Sequence, residues 1–343
     1  MSTARILLAI LGLAVLMIVH EGGHYLAARH FGMRVLRFSI GFGPTIYKHQ
    51  PPGSPTVYQI GIIPFLAYVQ IAGMNPWEEN DPKDKGSYAN ASLWGRVVTI
   101  AAGPLANYFF ASIFIFFAYV LGGKFIVDEA STRVEIIPGG PAAKAELIDG
   151  DRILAVNEQK VGTWEELRKA ISAHPGEKVD LTVERKGETI HKFATPGPKG
   201  GESAGRIQVS PETKKVPVTF REAAWLSVRD PPLVIVAVIK GLTSVKMDDL
   251  SGPVGIVKET ARAISRGPAD ALRFLGALSA YLCGFNLLPF PALDGGRLLF
   301  LGFEAAARRK PDAKVEAQIH AVGLIMLLAL LVVVSFRNDI FGR

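Results

Sequence analysis

Five residues near the N-terminus, His20-Glu21-Gly22-Gly23-His24, have types and spacing suited to metal chemistry. In a helix, residues four apart share one face, a single turn apart. Two imidazoles so placed can hold one zinc ion, and the Glu between them can take a proton from water on that metal. The pattern H-E-x-x-H recurs by chance in soluble helices, so its setting decides its weight. Residues 6–19 carry no charged side chain, and then two His and a Glu arrive together. Ionisable groups at membrane depth are costly and default to a functional reading. The alternative is a helix that leaves the bilayer at Val19 with these groups among solvated headgroups.

A second group lies near the other end of the chain. The stretch N-L-L-P-F-P-A-L-D-G-G, residues 286–296, interrupts an apolar segment expected over 271–303. Its two prolines remove two backbone donors and force the chain out of regular helix. An acid in such a break, Asp294, needs a partner. The metal held by His20 and His24 is the obvious one, and a structural ion pair is the alternative. A third group, Gly103-Pro104-Leu105-Ala106-Asn107, sits in the first half of another apolar run. Its small residues permit close helix contact, and Asn107 can hydrogen-bond either to a neighbouring helix or at the active site.

These groups need elements to position them. Residues 6–31 read as one helix of about 39 Å, which puts His20 roughly 21 Å into a ~30 Å hydrocarbon core. The run has Arg5 and a long apolar core, as a signal peptide does. No clear small-x-small site follows, and cleavage near Ala27-Ala28 would discard the motif, so a retained first membrane helix is expected. Residues 34–73 carry two stretches rich in β-branched and aromatic residues around Q-P-P-G-S-P, a turn signal. The expectation is a β-hairpin dipping into the membrane against the metal site, since non-helical backbone at that depth must be buried or line a watery cavity; a cytosolic hairpin is the alternative. Residues 75–90 read as a polar loop, and 92–122 as the second membrane helix. The last helix is expected over 317–336.

Residues 124–196 change character, with strand, turn and helix signals in regular order. Thr163 and Glu166 form a capping box opening a helix, and residues 178–194 read as a hairpin about Lys186-Gly187. His174 and His191 read as surface residues. The stretch 139–157, G-G-P-A-A-K-A-E-L-I-D-G-D-R-I-L-A-V-N, resembles PDZ domains, which take peptides by adding a strand to an open sheet edge. Residues 197–216 read as linker and 218–247 as a surface-lying amphipathic helix. Residues 251–256 read as a turn-rich segment of no evident purpose.

The chain has 343 residues, 49% of them hydrophobic, with formal charge +7 and pI near 9.4, and its mean hydropathy is +0.26. Such a basic balance hints at nucleic acid in a soluble protein. Here the basic residues cluster beside apolar runs, and positive-inside topology explains them better. Cys283 is the one cysteine, which excludes a disulfide framework and a cysteine zinc cluster. Residues 29–96 hold seven Lys or Arg and 304–316 hold four. With both basic connections inside, both termini and the segment 124–196 lie outside, and the H-E-x-x-H and Asp294 motifs reach similar depth in the cytosolic half.

Together, H-E-G-G-H, G-P-L-A-N, one PDZ-like insert and N-L-L-P-F-P-A-L-D-G-G resemble the bacterial site-2 proteases, intramembrane zinc metalloproteases of the regulator-of-sigma-E protease type. The resemblance spans nearly the whole chain. It departs from the best-known member of this type in having room for one PDZ domain where that member has two. It implies a polytopic α-helical membrane protein of about four transmembrane helices, with a membrane-associated hairpin and one inserted α+β PDZ-like domain. The expected divisions are 1–122, 124–196, 197–270 and 271–343. The resemblance also implies zinc as cofactor, His20, His24 and Asp294 as its ligands, and Glu21 as general base. Asn286, Pro289, Pro291 and Asn107 are expected at the substrate. The implied substrates are transmembrane segments of anti-sigma-factor-like proteins already cut by another protease, in the bacterial inner membrane, with the lipid bilayer as a partner and no nucleic acid. A membrane-bound metal-dependent oxidase needs more histidine at ligand spacing than His20 and His24 supply; His30 and His320 lack it. A catalytically silent scaffold binding peptides through its PDZ-like domain has no need of the Glu between the histidines.

Overall fold

A computed structural model describes residues 2–75, 81–137, 139–198, 205–241 and 250–340. The chain divides into two compact units, Met1–Gly122 with Val218–Arg343, and Gly123–Pro217.

In the first unit, α1 (Thr3–His30) and α2 (Leu93–Gly122) lie side by side. Glycine sets their spacing, because a Cβ on Gly23 would fall 2.2 Å from the Ala102 carbonyl oxygen. Between them in sequence come β1 (Val35–His49) and β2 (Val57–Ile71), which pair as an antiparallel hairpin. The register is doubled. Residues 37–40 are matched with 67–70 and again with 57–60, so they form the middle of a folded-over sheet. Gly41 and Gly43, both at φ +88°, make that fold, and a Cβ on Gly41 would lie 2.7 Å from the Gly61 oxygen. The hairpin leaves Phe42, Ile46, Tyr47, Ile62 and Ile63 exposed. Of the expected polar loop, residues 76–80 lie outside the described residues, and Tyr88–Asn90 form a 3₁₀ turn.

The return half of the unit holds α5 (Phe220–Gly241), α6 (Pro253–Arg266), α7 (Pro268–Asn286), α8 (Asp294–Ala307) and α9 (Ala313–Val334), with a π-helical turn at Ser335–Ile340. Helix α5 packs on α2 and α7; residues 242–247 of the surface helix expected there lie outside the described residues. Pro231 and Pro232 stand inside α5, and the Val228 carbonyl, four residues before Pro232, accepts the Tyr108 hydroxyl at 3.3 Å. A side chain of α2 thus fills the gap that proline leaves. The segment 251–256, expected as turns, opens α6. The Asp339 carboxylate caps it, accepting the Gly252 and Val254 amides at 3.1 Å each.

Three helices among the described residues are long and apolar enough to cross a membrane: Thr3–His30, Leu93–Gly122 and Ala313–Asp339. The further span expected over 271–303 is two shorter helices, α7 and α8, because Pro289 and Pro291 interrupt it.

The second unit holds strands β3 (Lys124–Val127) to β12 (Thr213–Val216), with α3 (Pro141–Lys144) and α4 (Trp164–Ser172). Its main sheet has the order β6-β5-β7-β8, from β5 (Arg152–Val156), β6 (Gln159–Lys160), β7 (Val179–Arg185) and β8 (Glu188–Ala194). Thr163 and Glu166 cap α4 reciprocally. Leu167, Ile171, Val179, Leu181, Val183 and Ile153 form its core. The stretch 197–216, expected as linker, contributes strands: β11 (Val209–Pro211) pairs with β4 (Val134–Ile136), and β12 with β3. Their partners lie some 75 to 90 positions back, and short strands with remote partners carry no periodic signal of their own.

Candidate active site

His20 and His24 lie one turn apart on α1, both buried. Asp294 is the first residue of α8, after the break. The structure brings the three together. His20 Nε2 is 3.2 Å and His24 Nε2 3.4 Å from Asp294 Oδ2, and the two nitrogens are 3.3 Å apart. Asp294 Oδ2 is buried and without a hydrogen-bond partner. Three lone-pair atoms at the corners of a nearly equilateral triangle fit one tetrahedral face. With metal–ligand bonds of about 2.0–2.1 Å, tetrahedral zinc spaces its ligands roughly 3.3–3.4 Å apart. Among the described residues this is the one group of His, Cys, Asp and Glu so arranged.

The far side of each ring is anchored on α2. The Thr99 carbonyl oxygen lies 2.8 Å from His24 Nδ1. A carbonyl can only accept, so Nδ1 carries the proton and Nε2 presents its lone pair. His20 Nδ1 lies 3.3 Å from the side-chain amide of Asn107. Gly103 gives His24 its room, since a Cβ there would fall 2.2 Å from Nε2. Glu21 stands outside the triangle. Val69, near the end of β2, packs in the same cluster as Tyr25 and Ala28 of α1, just past the H-E-x-x-H turn.

The loop before Asp294 is held from two sides. Gly295 and Gly296 let the start of α8 tuck beneath it, where added Cβ atoms would fall 2.2 Å from the Leu288 oxygen and 2.4 Å from the Phe290 oxygen. From α9, His320 Nδ1 accepts the Ala292 N–H at 3.0 Å, and Gly323 lies against Pro291. Ala292 itself has φ +76°, a left-handed conformation that needs such support. A cavity of about 620 Å³ opens between the end of β2, α8 and α9, lined among others by Tyr68, Val69, Arg297, Glu304 and His320.

The residues expected at the substrate are placed differently from one another. Pro289 is exposed, Pro291 is half-buried against α9, and Asn286 ends α7 with its amide nitrogen donating to the Leu282 oxygen at 3.0 Å. Asn107 is 1% exposed and faces His20. Thr99 and His320 do not stand out in the sequence. Thr99 acts through its backbone carbonyl, which no residue type marks.

The family model described as Peptidase family M50 matches residues 8–330. The chain belongs to peptidase family M50. Zinc metalloprotease RasP of Geobacillus kaustophilus is 30% identical over 95% of each chain. Relatives that bear zinc-metalloprotease names include one from Agrobacterium fabrum, 30% identical over 98% of this chain and 96% of its own. Another, from Clostridium perfringens, is 29% identical over 98% of each. The protein is thus a membrane zinc metalloprotease of the site-2 type.

Proposed function

We propose that the protein hydrolyses peptide bonds within transmembrane segments of membrane proteins, after another protease has removed the bulk of the substrate outside. Anti-sigma-factor-like proteins are the substrate class. The observation that carries this reading is the packing of β2 on α1, with Val69 in the same cluster as Tyr25 and Ala28, just past His24. It places a strand beside the catalytic turn, and residues 67–69 of that strand have their ladder partners on β1. A transmembrane helix satisfies its own backbone in lipid and must unwind before water can reach a peptide bond. An unwound stretch can then regain hydrogen bonds along 67–69. The exposed apolar side chains of the hairpin support its lying in the membrane.

His20, His24 and Asp294 would hold the zinc, which when bound polarises the scissile carbonyl and lowers the pKa of water to about 7. Glu21 takes the proton of the attacking water on a carboxylate oxygen and returns it to the leaving nitrogen. Thr99 keeps His24 in the tautomer that serves the metal. Asn286, Pro289 and Pro291 shape the cleft about the unwound backbone, and the cavity behind Val69 gives water a polar approach. The second unit acts as a PDZ-like domain that holds a substrate end at a sheet edge. Both termini and this unit lie outside the bacterial inner membrane, with the active site toward the cytosolic half.

Glu21→Gln tests the reading. The variant is expected to keep zinc, because Glu21 is no ligand, and to lose cleavage of a transmembrane substrate. Metal content and cleavage are measured on the same purified protein. Cleavage near the parent rate would remove Glu21 from the chemistry.

A further inference from the structure

We propose that Asn107 is the positioning residue of His20. Its side-chain oxygen accepts the proton of His20 Nδ1 and so fixes the tautomer that turns Nε2 to the metal.

The Asn107 side chain reaches from α2 to α1 and is 1% exposed. As placed, its amide nitrogen lies 3.3 Å from His20 Nδ1, while its amide oxygen is buried without a partner. The two ends of an amide have the same shape and are assigned by their hydrogen bonds. With the nitrogen toward the ring, Nδ1 must accept, and the ring proton then sits on Nε2. That proton would point at Asp294 Oδ2 and into the 3.3 Å gap to His24 Nε2, where a metal must go. A ligating Nε2 has to be bare, which puts the proton on Nδ1 and leaves two donors facing each other. Turning the amide over removes that clash and gives the orphaned oxygen its donor. The arrangement then matches His24, whose Nδ1 proton goes to the Thr99 carbonyl.

The anchor is itself held. Ser279 of α7, fully buried, donates its hydroxyl to the Asn107 backbone oxygen at 2.8 Å. On the other side, a Cβ on Gly23 would come within 2.9 Å of Ala106 Cβ, so α1 and α2 cannot drift apart without losing their packing. An asparagine this enclosed has no open cleft before it. The role expected of it at the substrate gives way to one behind a ligand.

The inference rests on His20 being a ligand. Full-length protein in detergent is compared as parent, Asn107→Leu, Asn107→Asp and His20→Ala, by zinc competition with a chelator and by the cobalt(II) spectrum. Leu keeps the bulk and lacks the acceptor, so its zinc affinity should fall about 10–100-fold with a changed cobalt spectrum. Asp keeps the acceptor and should stay within about threefold of the parent. The proposal is overturned if Leu binds zinc as the parent does, or if Asp falls as far as Leu. Melting of the zinc-free proteins checks folding; if Leu does not fold, Asn107→Ala replaces it, with the same loss of zinc expected and the same outcomes overturning the proposal. Zinc retained by His20→Ala sinks the ligand reading itself. Zinc lost there but held by Asn107→Leu sinks only the positioning role.

Discussion

Gly103 shows how much a single residue without chemistry can decide. Its missing side chain is the space in which the His24 ring stands. Gly103→Ala is expected to displace that ring and lower zinc affinity by at least about tenfold, although the added methyl is itself compatible with helix. Zinc competition checks this, and unchanged affinity would mean the ring can move aside at no cost. Asp294→Ala should do more than the roughly 10–100-fold that an outer partner is worth, since it removes one of three ligands from a site that needs three. An Asp294→Ala protein that holds zinc as tightly as the parent would show that another residue completes the site. Side chains of this kind are legible in the sequence: His20, Glu21, His24 and Asp294 announce themselves by type, spacing and apolar setting, and G-P-L-A-N stands out by its small residues. What is not legible is what those residues touch. The Thr99 carbonyl is a group that every residue carries equally, and only the fold selects it.

At the scale of elements, the broken segment 287–293 is the part that a sequence reads well in outline and poorly in detail. Pro289 and Pro291 make the break plain, and the helices α7 and α8 on either side follow from it. The support from α9 does not, because His320 lies 28 positions from Ala292 and has no ligand spacing to draw notice. His320→Ala is expected to leave the Ala292 amide without its acceptor, at a cost of about 1 kcal/mol. Since Ala292 is two residues from Asp294 and already in a left-handed conformation, the loop should loosen. Zinc should exchange faster with little change in global melting. An exchange rate equal to the parent's would show the loop to be held by Gly323 and Pro291 alone. The same distance problem hides α6, whose cap, Asp339, is more than 80 positions away. It also hides the doubled hairpin, where alternation within β1 gives no sign that residues 37–40 have partners on both sides.

For the molecule as a whole, the separable part is the second unit. Every residue of the metal triangle and its anchors belongs to the first unit. The second is entered through β3 and left through β12, which pair so that Val216 stands opposite Lys124. The chain therefore leaves the first unit and returns to it at neighbouring points, and a short flexible linker between Gly122 and Val218 can bridge the excision. If, as proposed, α1 runs inward and α2 outward, those two points lie on the outer side, where a substrate's trimmed end would arrive. If the unit acts as a gate through its bulk and its peptide-holding edge, removing 123–217 should leave zinc binding and cleavage of a short, pre-trimmed substrate largely intact. It should also permit some cleavage of a full-length substrate that the parent rejects. Both substrates, reconstituted with parent and deletion proteins, supply the comparison. Loss of short-substrate cleavage in a deletion protein that still binds zinc would mean that the unit organises the active site, and the gate would have to be abandoned for a part in catalysis.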